Sequence, residues 1–250
     1  MSTIGDYNRY GEELERALLL KTSPIAVKML EKPEDIPEGA IRPKKDRGYH
    51  LAQCQAFAMT RRQGMTIAML KEDHWCWAPL LGYGMVEDPN DPFVNAHASF
   101  PRFEYGKYIG MVTAPLKSAN FEPDMVLIYS NTAQLREMIG VVKYREHNLV
   151  KSEFDPIDSC VYSVVPVIAD GQYRITLPDP GEYSRAMAGE DEIIFSVPRD
   201  KLEGLVEGVK RTVEMKQNPN DWSHIMLRPD FPRPDFYKEL FRKWKLDVED

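Results

Sequence analysis

Short apolar runs rich in branched side chains alternate along this chain with longer amphipathic stretches, and that alternation restricts the fold more than any other feature. "YNRYGEELERALLL" places apolar and polar residues at helical spacing and predicts a first helix, followed by the strand "SPIAVKML". A second helix is predicted from about 51 to 62, ended by Gly64, with "MTIAML" continuing as a strand. "EDHWCW" then reads as a loop, and "APLLGYGM" opens another short helix. A further strand-helix-strand series starts at "DMVLIYS", passes through the helix "NTAQLREMIGVVKY" capped by Asn131 or Thr132, and reaches "CVYSVVPVI" as a strand. "YRITLP" and "EIIFSVP" complete the strands. "RDKLEGLVEGVKRTVEMK" is an amphipathic helix, and a proline-rich segment leads to a last helix, "DFYKELFRKWKL". The expected class is α+β (mixed α/β), a central sheet with packed helices, in which the two strand-helix-strand series form two related halves.

One globular domain over 1–250 is expected, with a helical tail near 233–247. The stretch from 31 to 48, with three prolines and two glycines, reads as a long exposed loop suited to a lid or partner surface. "VEDPNDPFVNAHASFPRFEYGK" is again loop-like, because Pro, Asn and Asp repeatedly break any period.

Composition narrows the function classes. No run approaches the roughly 18 apolar residues of a membrane helix, and the first residues lack the pattern of a secretory signal, so a soluble cytoplasmic protein is expected. A net charge of −7 argues against nucleic acid, whose phosphates demand excess Lys and Arg. The one basic cluster, "RPKKDRG", reads as a solvated loop. Phosphate loops, G-x-S-x-G elbows, H-E-x-x-H and C-x-x-C are absent, and "GYGMVE" lacks the third glycine of a dinucleotide fingerprint.

Chemistry then rests on three cysteines. Cys54, Cys76 and Cys160 are odd in number and separated by 22 and 84 residues, which does not describe a disulfide framework. Cys54 falls near the start of one predicted helix and Cys76 just before the next, where unpaired N–H groups favour thiolates. His74 lies beside Cys76 and could move a proton. Trp75 and Trp77 flank the same sulfur and, in an extended segment, would both project away from it as walls of a site. Tyr183 and Arg185 follow the turn "LPDPG", and such an arginine can hold a carboxylate bidentately. The remaining histidines, His50, His97, His147 and His224, are scattered.

Together, "SPIAVKML", "CQAFAMTRRQGMTIAML", the cysteine before "LLGYG" and the late "EIIFSVPRDKLEGLVEGV" resemble the DUF169 family over residues 10 to 215. That resemblance implies cysteines at the blocks matched by Cys54, Cys76 and Cys160, and often a Gly-Cys with a downstream arginine in the block matched by "PGEYSRA". This chain has Gly181 and Glu182 there, with Arg185 retained, so the fourth thiolate is missing.

Three occupants of the thiol set stand. A 4Fe-4S cluster held by three cysteines would leave one iron open or ligated by Glu182. Zinc, on three cysteines with His74 or water, is the second, although its usual close-spaced ligand pairs are missing. Unligated core thiols are the third. The expectation is an iron-sulfur enzyme of anaerobic small-molecule metabolism, an oxidoreductase or a lyase acting on an anionic substrate, with an electron-donor protein and a second copy of the chain, as a homo-oligomer, as candidate partners. A cofactor-free binding or accessory subunit is the alternative.

Overall fold

The computed structural model describes residues 2–95, 100–214 and 233–246. The chain divides into two units, Met1–Glu214 and Met215–Asp250. In the first, α1 (Ile4–Leu18) leads to β1 (Ile25–Leu30), α2 (Pro43–Arg47), α3 (Gln53–Gln63), β2 (Ile67–Leu70), α4 (Trp77–Gly82) and α5 (Pro92–Asn95). Then follow β3 (Gly110–Pro115), β4 (Met125–Ser130), α6 (Thr132–Glu146), α7 (Ser159–Tyr162) and α8 (Val165–Asp170). β5 (Arg174–Thr176), α9 (Pro180–Arg185), β6 (Ile193–Pro198) and α10 (Arg199–Glu214) complete this unit. In the second, the predicted last helix is α11 (Asp235–Lys243), whereas the proline-rich segment before it, like His97 and His224, lies outside the described residues.

One six-stranded sheet, ordered β2-β3-β1-β4-β6-β5, organises the larger unit, and every pairing in it is antiparallel. Mixed α+β is therefore the class. The orders β1-β3-β2 and β4-β6-β5 repeat one arrangement, joined where β1 pairs β4. The crossover helices do not repeat with the strands, because α3 and α6 lie on opposite faces. On one face, Leu14 of α1, Met138 of α6 and Leu205 of α10 pack on Ala26, Val126 and Phe195. On the other, Phe57 of α3, Leu81 of α4 and Val161 of α7 pack on Val27, Leu127 and Ile194. Burial of both faces, which removes apolar area from water on either side of the sheet, makes the central strands read as uninterrupted apolar runs.

One expectation is corrected and two stretches gain detail. "CVYSVVPVI" is not a strand but parts of α7 and α8: Asp158 turns the chain with φ 59°, and Pro166 occupies the first turn of α8, where its missing N–H costs no helical bond. An apolar run this short cannot be assigned by periodicity alone. β3, an inner strand, lies in a stretch unassigned from sequence, framed by Gly110 and Pro115. A Cβ on Gly110 would lie 2.5 Å from Met69 O, so a close strand contact explains the glycine. Finally, the 31–48 segment is anchored: Ile41 bridges to Ile67, and buried Arg42 pairs with fully buried Asp73 at 2.6 Å.

Gly11 of α1 allows close approach to the turn at 116–118, since an added Cβ would meet Lys117 N at 2.6 Å and Leu116 C at 3.0 Å. Both contacts are backbone and cannot rotate away. Gly11→Ala is expected to cost about 1–3 kcal/mol in urea denaturation, the range typical of overpacking.

Candidate functional site

Four helix starts converge on one face of the sheet. Cys54 lies in the first turn of α3, Cys76 caps α4, Cys160 lies in α7, and Glu182 lies in the first turn of α9. Cys76 packs against Cys54, Ala58 and Ala186 on one side and against the cluster containing Cys160 on the other. Each of the other two sulfurs acts electrostatically on Cys160, and all three act on the buried Tyr83, whose hydroxyl donates to Cys160 O at 2.8 Å. The topology thus gathers residues that are distant in sequence.

Desolvation dominates their chemistry. Cys54 is pushed up to about 12 by burial and then by Glu182, against the lowering effect of Arg185. Cys76 and Cys160 are also raised, mainly by burial. Of the three cysteine-bearing helices only α3 is long enough to present a developed terminal dipole, and there burial outweighs it. Without a cation to replace their protons, the three remain thiols.

A polar network backs the sulfurs. Tyr129 of β4 donates its hydroxyl proton to the Glu182 carboxyl, with 2.9 Å to Oε2 and 3.1 Å to Oε1. Ser159 Oγ lies 2.8 Å from Glu182 Oε1 and 3.0 Å from Asp179 Oδ2. Asp179 also accepts from the backbone N–H groups of Ser159 and Glu182. A serine hydroxyl has one proton to donate, so bonding to both carboxyls is fully satisfied when Glu182 is protonated and donates to Ser159, which donates to Asp179. Burial pushes Glu182 the same way, up to about 7.

Arg61 of α3 holds the network from behind. Its guanidinium lies 3.9 Å from the Tyr129 ring centroid and forms two bonds to the Glu192 carboxylate, at 2.7 and 2.8 Å. At the exposed edge, Arg185 acts electrostatically on Cys54 and lies 5.1 Å from the Trp75 ring centroid.

The DUF169 family model, described as uncharacterised ArCR, COG2043, matches residues 13–208, which is most of the chain. The chain belongs to the DUF169 family. Its similarity extends to an uncharacterised protein of Methanocaldococcus jannaschii, 20% identical over 226 residues, covering 83% of this chain and 95% of that protein. No solved structure matches.

In this DUF169 protein the predicted residues fall unevenly. Cys54, Cys76, Cys160, Glu182, Arg185 and Trp75 come together, and Tyr183 sits partly exposed on α9. Trp77 begins α4 and stacks on Phe100 at 5.6 Å, so the two indoles do not share one side as an extended segment would require. His74 is buried with both ring nitrogens lacking a protein partner, and the charges acting on it are Asp73 and Glu72. Gln53, next to Cys54, likewise buries both ends of its amide unpaired. Among the described residues no three His, Cys, Asp or Glu side chains are grouped to hold a single metal ion. Tyr129, Ser159, Asp179, Arg61 and Glu192 carry no sequence motif, and the capping position of Asp179 before Pro180 was the one local signal available.

Two measurements follow for the metal-free protein. Arg61→Met leaves Glu192 buried with the longer 3.5 Å contact to Arg62 as its remaining ion pair, at an expected cost of about 3 kcal/mol in urea denaturation, the lower end of the range for breaking a buried pair. The second concerns pH. Glu182 keeps its proton up to about 7 against an ordinary 4.5, so the native state binds more protons than the unfolded chain between these values and loses stability as pH rises through them. His74 stays neutral down to about 4 against an ordinary 6.5, so stability is lost as pH falls through that window. The slopes oppose. Glu182→Gln is expected to leave a profile rising more steeply from pH 4 to 6.5 than in wild type; identical profiles would contradict a protonated Glu182.

Proposed function

We propose that Cys54, Cys76 and Cys160 hold a 4Fe-4S cluster and that the protein is an iron-sulfur enzyme acting on a small anionic substrate by reductive or dehydratase-like chemistry. The observation that carries this reading is the convergence of three thiols, drawn from helices far apart in sequence, into a desolvated space. The donor set fits such a group. Soft sulfur ligands suit iron-sulfur centres, and thiols that resist ionisation in isolation give up their protons to a cationic centre. Zinc is supported less, because structural zinc sites draw on close-spaced ligand pairs and the three cysteines here are 22 and 84 residues apart. The unpaired ends of Gln53 and His74 are polar groups that a bound species or water would satisfy.

When bound, the cluster would supply electrons or a Lewis-acidic iron. The protein's own part is positional. Arg185 orients the anion at the mouth, and Trp75 and Tyr183 wall it. Glu182 carries a proton on the oxygen facing Ser159, a role better served there than at His74, whose neighbours are Asp73 and Glu72.

A cofactor-free binding or accessory subunit is the second reading, favoured by the deep burial of Cys54 and Cys160. One preparation separates them. Protein purified without oxygen should be brown, absorb broadly at about 400 nm and carry about four irons per chain; replacing Cys54, Cys76 or Cys160 by Ala should each remove the colour. A colourless, iron-free anaerobic preparation sinks the cluster reading, and colour that survives Cys160→Ala sinks the three-cysteine assignment.

A further inference from the structure

On α11, Phe236, Tyr237, Leu240, Phe241 and Trp244 recur at helical spacing and form one apolar stripe, with every charged residue of the helix outside it. None of its side chains is buried among the described residues, and Phe236, Tyr237, Leu240 and Trp244 are exposed. Two ring pairs flank Leu240: Phe236 and Tyr237 with centroids 4.5 Å apart, and Phe241 and Trp244 at 6.2 Å. The helix has nine residues, fewer than the roughly 12–15 that an isolated helix needs in water, so its stability requires a covering surface. It lies beyond residues 13–208 matched by the family model, apart in sequence from the thiol site.

We infer that α11 is a self-association helix whose apolar stripe packs antiparallel against α11 of a second copy of this chain. The charges bordering the stripe carry the choice of partner and direction. Glu239 and Lys243 line one edge and Lys238 the other. Antiparallel packing about a two-fold axis sets each edge against the same edge of the partner, so Glu239 faces the partner's Lys243 and Lys243 faces the partner's Glu239. Parallel packing sets opposite edges together and brings Lys243 toward the partner's Lys238, a repulsive pair. The same two-fold axis places Leu240 on the partner's Leu240, and each Phe236–Tyr237 pair on the partner's Phe241–Trp244 pair. The two stripes together cover about 1,000 Å², the lower bound of a specific interface, which fits a reversible dimer. An anionic membrane suits the helix less, because Asp235 and Glu239 stand among its cations and Asp247, Glu249 and Asp250 follow it.

Sedimentation equilibrium of the full chain at low salt, from about 1 to 100 μM, tests this. The mass is expected to rise with concentration from 28.8 kDa toward twice that value. Leu240→Glu sets two like charges against each other on the axis and should weaken the dimer by about 100-fold, leaving a monomer throughout. Glu239→Lys and Lys243→Glu each turn two attractive contacts repulsive and should each raise the dimer Kd about tenfold. An equal mixture of these two single variants should associate as wild type does, because the mixed pair regains both contacts, which an effect confined to one helix cannot produce. Circular dichroism checks that each variant is folded. A wild-type monomer across the whole range, a dimer untouched by Leu240→Glu, or a mixture no stronger than its separate components would each overturn the antiparallel pair. A monomer that sediments with phosphatidylglycerol vesicles would assign the stripe to a membrane instead, and one that does not would assign it to the chain's own surface.

Discussion

The arrangement depends on one buried cation. Arg61 extends from the last turn of α3 to the Glu192 carboxylate ahead of β6, with its flat face on the Tyr129 ring of β4 and a further bond to Thr22 ahead of β1. A buried guanidinium is tolerable only when its charge is balanced and its N–H groups are used, and this one satisfies both conditions with groups from three separated stretches of chain. Its stack orients Tyr129, whose hydroxyl binds Glu182. Sheet, α3 and α9 are therefore fixed to one another by the contacts that also place the acid behind the sulfurs.

That acid is held in a form unusual for a glutamate at neutral pH. It has no bond to a cation; its partners are hydroxyls, Asp179 and Arg61 act on it in opposite directions, and burial is the largest influence. Burial and a like charge both favour the neutral carboxyl, and the single proton of Ser159 makes the same demand. The same region combines three protonated thiols, one protonated carboxyl and one guanidinium with the aspartates Asp158 and Asp179 acting on them, and it leaves the buried polar ends of Gln53 and His74 without a protein partner.

Much of the fold was legible locally. Asparagine and glycine caps bound α6 and α3 where the residues predict, because capping is a contact between side chain or backbone and its immediate neighbours. The assignment failed where burial replaces periodicity. β3 is covered on both faces, and the valines of α7 and α8 are buried against the sheet, so neither displays the polar alternation that separates strand from helix. The two related halves are visible in the strand order alone, since α3 and α6 occupy opposite faces.

By itself the sequence determined the residue types available for chemistry: three thiols without a disulfide framework, a carboxyl at Glu182, and an arginine just beyond it at Arg185. Spacing along a chain does not encode proximity, so only the tertiary structure could bring Cys54, Cys76 and Cys160 together and turn the His74 environment toward Asp73 and Glu72. It also decided the ionisation of these groups. A thiol at a helix start reads as a thiolate until the water it would need is removed, and that removal is a property of the packed fold.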